Sequence, residues 1–146
     1  MVRKTKYNSK KIVVDGITFD SKDEAKYYEY LKHLKAYGMI ENFELQPEYE
    51  LIPKFKKHGR TYRKMTYTPD FLIYHVDGSQ ELIDVKGYST QQGEIRKKLF
   101  DYKYPDVKLT WIARSLKFGD RYGWIEYSEL QKKRRESKNG KSKRKY

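Results

Sequence analysis

The chain contains no cysteine, which excludes disulfide cross-links and Cys-ligated zinc. Only four prolines and nine glycines occur in 146 residues, so no Pro- or Gly-rich low-complexity segment is present. No apolar run approaches the roughly 20 residues needed to cross a bilayer, and no apolar core follows the basic N-terminus as in a secretory leader. His33, His58 and His75 are scattered without zinc-ligand spacing. Together these absences predict a soluble protein of a reducing, cytoplasmic compartment, with no membrane partner.

What the chain does have is tyrosine and positive charge. Fifteen tyrosines supply rings for a small core while their hydroxyls find partners. The net charge is +13, and it is unevenly placed. Residues 1–12 carry five basic residues and no acid, and residues 131–146 carry nine basic residues and one acid. The span between them is balanced, with 19 of each sign. Such ends suit a polyanion, with phosphate the likeliest, and a solubilising tail or an anionic-membrane contact as the plainer readings; the lack of an amphipathic apolar face in the last 16 residues argues against the membrane. The organisation predicted is a basic arm at 1–10, one domain at 11–130, and a basic, disordered tail at 131–146 that includes Lys132, Lys133, Arg134 and Arg135.

Local patterns give an order of elements. Residues 11–19 read as a hairpin around Asp15-Gly16. Ser21 and Glu24 form a capping-box pair for a helix that runs to about Tyr37 and stops at Gly38. Residues 39–45 and 49–55 look extended, with Pro47 and Pro53 limiting how central they can be. Residues 61–67, 71–75 and 81–85 read as strands, the last two joined through Asp77-Gly78. Residues 92–104 suit a helix ended by Pro105, and 107–113 alternate as a strand. Residues 124–135 read as a last helix. The class expected is α/β (α+β), a mixed central sheet flanked by helices.

Three acids and a lysine carry the chemistry. Asp70 follows Pro69 in TYTPDFLIY, and Asp84 and Lys86 stand in ELIDVKG. Alternation puts Asp84 and Lys86 on one face of a strand and Val85 on the other. Adjacent strands can then bring Asp70 to Asp84. Two close carboxylates call for a hard divalent cation, Mg²⁺ or Mn²⁺, and a neighbouring lysine can hold a water or stabilise phosphate charge. Each part has a plainer role: Pro-Asp as turn chemistry, Asp-x-Lys as a surface ion pair. The apolar flanks Ile83, Val85 and Phe71-Leu72-Ile73 argue for burial, where an unpaired carboxylate is costly. Glu24 has its capping role, yet shares a helix stripe with Tyr28 and Leu31 and so starts the core-facing side.

The pattern Glu24…Pro69-Asp70…Asp84-Val85-Lys86 resembles the PD-(D/E)XK nuclease superfamily over roughly residues 17–115. Two branches are similar: the endonuclease I-type Holliday-junction resolvases of T7-like phages, through FDSKDEAK, TPDFL, DVKG and a following basic helix, and TnsA-like transposon endonucleases, through Leu45-Gln46-Pro47 and the PDF…VK core. The resemblance implies a restriction-endonuclease-like core in a bacterial or phage-infected cell. It implies Asp70, Asp84 and the Val85 carbonyl as metal ligands, Glu24 as a further acid, and Lys86 as the catalytic lysine. It further implies DNA cleavage, a branched or four-way substrate, and a homodimer as in the resolvases. Glu44 and Glu48 are candidates for an additional acid. Arg96, Lys97 and Lys98 on the later helix are candidate phosphate contacts, and equally a solvated face. Trp111 and Trp124 read as core. The alternatives are a recombination-linked nuclease acting with a partner, as in TnsA, and a basic nucleic-acid-binding protein in which Asp84 and Lys86 merely pair.

Overall fold

The architecture is that of a computed structural model, which describes residues 10–143. Residues 1–9 of the predicted arm at 1–10, and residues 144–146 of the predicted tail, lie outside the described residues. A short hairpin opens the chain, β1 (Ile12–Val14) and β2 (Ile17–Phe19). Asp15 and Gly16 both take positive φ, 52° and 75°, the geometry of the tight turn that their sequence signals. Helix α1 (Lys22–Ala36) follows. Its N-cap is Ser21, whose hydroxyl accepts from the Glu24 amide at 3.1 Å, and Gly38 at φ 72° ends it.

The main sheet has five strands in the order β11-β10-β9-β8-β3: β3 (Asn42–Leu45), β8 (Phe71–Tyr74), β9 (Gln80–Val85), β10 (Leu109–Arg114) and β11 (Trp124–Glu126). Only β9 and β10 run parallel, and helix α2 (Gln91–Lys103) makes the crossover between them, as a parallel pair requires. The mixed sheet with flanking helices is the class that the sequence predicts.

Alternation sorts the core onto two faces. Phe71, Ile73, Ile83 and Val85 pack under α1 with Tyr27, Tyr28 and Leu31. Leu72 and Leu82 point the other way, onto Phe100 of α2 and Tyr67. A second hairpin leaves this face: β4 (Tyr49–Ile52) pairs with β7 (Met65–Tyr67), and β5 (Phe55–Lys57) with β6 (Arg60–Tyr62). Ile52 faces Met65 and Phe55 faces Tyr62, so both pairs share one register. The break between them falls at Pro53, which has no N–H to give to a ladder. One predicted strand, 61–67, is therefore the returning limb of a long, interrupted hairpin.

The C-terminal expectation is corrected. Residues 124–126 pair with β10 instead of starting a helix, and α3 spans Tyr127–Lys143. The tail from 131 is helical through Lys143 rather than disordered. Tyr127 and Leu130 anchor it by packing on Trp111 and Ala113, and straight-chain Lys, Arg and Glu residues carry it onward because they lose little freedom in a helix. No helix among the described residues is long and apolar enough to cross a membrane.

Leu31 is fully buried between α1 and the sheet. Leu31→Ala is expected to cost about 2–5 kcal/mol of stability, read from urea unfolding; a loss below about 1 kcal/mol would contradict this packing.

Candidate active site

Strand register brings the predicted acids together. Phe71 faces Ile83 and Leu72 faces Leu82, so the next position back sets Asp70 across from Asp84. The Asp70 carboxylate accepts the Val85 amide at 2.8 Å and is hydrogen-bonded to the Asp84 carboxyl. Asp84 is the one buried charged residue among those described. Its Oδ2 accepts from the Tyr67 hydroxyl at 2.6 Å and meets Lys86 Nζ at 3.0 Å. Tyr67 in turn accepts from Trp111 Nε1 at 2.8 Å. Trp111 faces Asp84 across the β9–β10 pair, and the Lys86 ammonium sits 4.8 Å from its ring centroid. Asp84 and Lys86 thus lie on one face, as alternation requires.

Glu24 reaches the same region from α1. Its carboxylate is hydrogen-bonded by the Asp20 backbone and the Ser21 side chain, so the capping role is real, yet it also feels Asp84 electrostatically. Burial and, after it, the neighbouring charge of Asp20 raise its pKa. Asp70 is affected far more. Burial first, then the charge of Asp84 and its hydrogen bond, then Glu24, push its carboxyl well above the usual carboxylate range. Burial and Asp84 likewise push the Tyr67 hydroxyl up, fixing it as a proton donor.

A cavity of about 60 Å³ beside these acids is lined by Glu24, Gln46, Asp70 and Phe71 together with the first hairpin, room for a few water molecules. Gln46 was only a family hint in the sequence. Its amide donates to the Asp70 carbonyl at 3.0 Å, and its φ of 51° is left-handed, a strained conformation for a residue with a side chain. Tyr67 was missed altogether; as one of 15 tyrosines it carries no signal beyond standing three residues before Asp70.

The other candidates fall outside the cluster. Glu44 accepts from Tyr74 at 3.1 Å and Glu48 pairs with Lys64 at 3.2 Å. Lys97 pairs with Asp101 at 2.8 Å and helps line a cleft of about 400 Å³ with Trp111 and Tyr127, while Arg96 and Lys98 are exposed on α2. Lys132, Lys133, Arg134 and Arg135 are exposed on α3.

Among the described residues no three His, Cys, Asp or Glu side chains form a ready-made metal cage. The donor set nevertheless fits Mg²⁺ or Mn²⁺. These hard cations take oxygen ligands, and Mg²⁺ commonly keeps several waters while binding one or two carboxylates. The forced proximity of Asp70 and Asp84, eased in this structure by a hydrogen bond between them, is the electrostatic problem that such a cation resolves.

A model described as Protein of unknown function (DUF1064) matches residues 4–120, and the chain belongs to that family. No curated protein and no solved structure matches the chain.

A carboxyl whose folded pKa is raised contributes stability that is complete below its unfolded value, here near 3.8, and is lost as pH rises through the folded value. Asp70→Asn keeps an acceptor for Val85 and gives Asp84 a permanent donor. In chelator at pH 8 it should be more stable than wild type by on the order of 1–3 kcal/mol, with the gap closing near pH 4. Urea unfolding at both pH values checks this; an unstabilised variant at pH 8 would refute it. Tyr67→Phe strands the buried Trp111 N–H and should cost about 1–3 kcal/mol by the same measurement.

Proposed function

We propose that the protein is a Mg²⁺- or Mn²⁺-dependent endodeoxyribonuclease, with branched or four-way DNA as its preferred substrate. The observation that carries the reading is the meeting of Asp70, Asp84 and Lys86 at the end of adjacent buried strands, with Glu24 beside them. Phosphodiester hydrolysis needs a positioned water, charge stabilisation on the phosphate and a divalent cation, and these residue types match that need. Asp70, Asp84 and, from the family resemblance, the Val85 carbonyl would hold the cation, which lowers the pKa of bound water and polarises the phosphate when present.

The chain's own residues do the rest. Tyr67 and Lys86 both engage Asp84 Oδ2, which would leave Oδ1 as the oxygen to face a cation shared with Asp70. Lys86, held between Asp84 and the Trp111 ring, can swing its ammonium onto a phosphate oxygen and stabilise the charge that grows as the P–O bond breaks. Glu24 can hold the attacking water by hydrogen bond. The branched substrate and a two-site homodimer rest on the resemblance to phage resolvases; a TnsA-like endonuclease with a partner keeps the same chemistry.

One observation favours a second, non-catalytic reading. The Lys86–Asp84 ion pair at 3.0 Å could be purely structural in a basic nucleic-acid-binding protein. The two readings part on activity. Purified wild type with Mg²⁺ or Mn²⁺ should cut members of a panel of four-way junctions, flaps and linear duplex, with paired symmetric nicks in the junction. Lys86→Ala should lower the rate by at least about 10²-fold, the scale of losing one charge-stabilising group, with DNA affinity nearly unchanged. Wild type that cuts no member of the panel would sink the nuclease reading, and equal cutting of duplex and junction would sink the branched preference.

A further inference from the structure

The segment from 53 to 64, PKFKKHGRTYRK, carries six basic residues and no acid. Every one of its residues is exposed. Outside this segment the balanced span 13–130 holds 13 basic and 19 acidic residues, so the rest of the span is net acidic and this one protrusion is net basic. That protrusion is the tip of the long hairpin, strands β5 and β6.

The ribbon's own contacts are those of a binding element. Phe55 and Tyr62 stack across the strands, 4.6 Å apart and nearly parallel at 6°, in exposed positions (43% and 37%). This pair pins the register where no core can. Lys57 faces Arg60 directly, and Arg60 also lies 5.1 Å from the Tyr62 ring centroid. Like charges placed directly opposite on a ribbon destabilise it, an arrangement relieved when a phosphate lies between them. Side chains alternate along a strand, so Phe55, Lys57, Arg60 and Tyr62 share one face while Lys56 and Thr61 occupy the other.

The ribbon is also wired to the site. Strand β7 returns from it to Tyr67, the residue that holds Asp84, and Asp70 follows three residues on. Gly59 at the tip is eight residues from Tyr67, a reach of at most ~29 Å at ~3.6 Å per residue. That spans up to about eight base pairs at ~3.4 Å each.

We propose that the β5–β6 ribbon is a DNA-binding arm that holds the phosphate backbone of a duplex beside the Asp70–Asp84–Lys86 cluster. The proposal deepens, and rests on, the reading of this chain as acting on DNA. A two-stranded ribbon is narrow enough to enter a major groove, and its Lys and Arg side chains meet phosphates while the aromatic pair keeps it rigid.

The test is binding by the full chain to a fluorescein-labelled duplex of several helical turns, followed by anisotropy in EDTA over a range of salt. Lys56→Ala, Lys57→Ala and Arg60→Ala are combined in one variant, with Phe55 and Tyr62 left to keep the register. A second variant removes the same charge elsewhere: Lys35→Ala, Lys103→Ala and Lys117→Ala. The arm variant should bind at least about tenfold more weakly, with the slope of log K against log salt reduced by up to ~2.7, or ~0.9 for each phosphate that is no longer neutralised. The control variant should change little. Equal losses in the two variants, or a loss seen with single-stranded RNA and not with duplex DNA, would overturn the arm. Cleavage by wild type in Mg²⁺ is scored separately. A chain that binds through the arm but never cuts keeps the arm and loses the nuclease; one that cuts while the arm variant binds normally does the reverse.

Discussion

The rest of the structure is organised around two carboxylates that cannot comfortably stand together. Asp70 and Asp84 face each other across neighbouring strands, in surroundings that desolvate both. In such a setting a carboxylate with no compensating partner is costly. The fold answers with a backbone amide for Asp70, from Val85, and a phenol and an ammonium for Asp84, from Tyr67 and Lys86. These partners come from two elements, with a third behind them: β9 and the residue after it supply Val85 and Lys86, the returning limb of the long hairpin supplies Tyr67, and β10 supplies the Trp111 that braces both Tyr67 and Lys86. The register of the sheet is thus also the geometry of the site. A one-residue slip would turn Asp84 to the α1 face and dismantle it.

The asymmetry between the two acids is informative. Asp84 has a cation beside it; among the described residues no lysine or arginine pairs with Asp70, which instead leans on Asp84 itself. A pair of acids kept only for stability would gain from replacement by apolar residues of similar size. Asp70 also lines a small cavity together with Glu24 and the left-handed Gln46, so burial, charge and backbone strain meet in one place. Local departures of this kind from good packing rules are the usual mark of a functional site.

Much of this could be read from the residues before any coordinates. The Asp15-Gly16 turn, the Ser21–Glu24 cap, the Gly38 stop and the crossover helix each depend on short-range chemistry, so each was visible. The Asp84–Lys86 face followed from simple alternation. Three things were not visible, for physical reasons. Tyr67 acts through a contact with a residue 17 positions away, and nothing local sets it apart from other tyrosines. The continuity of β4–β5 with β6–β7 is a matter of register across a proline-interrupted ladder, which composition cannot report. The continuation of the last helix beyond 135 depends on Tyr127 and Leu130 packing against Trp111 and Ala113, a tertiary anchor that a charge-rich sequence conceals.

The charge distribution gains meaning from the same geometry. In sequence, 13–130 is neutral and the basic ends stand out. In space, neutrality splits into an acidic body and a basic ribbon whose returning limb runs into the site. The DNA reading proposed above would need local positive charge that is both exposed and tied to the cluster, since net negative charge repels a polyanion at long range. The ribbon meets both conditions, and α3 presents Lys132, Lys133, Arg134 and Arg135 from the element that packs on Trp111. Under that proposal affinity and chemistry are separable in this fold: Asp84 is buried, while the exposed basic side chains that would meet phosphates stand on other elements.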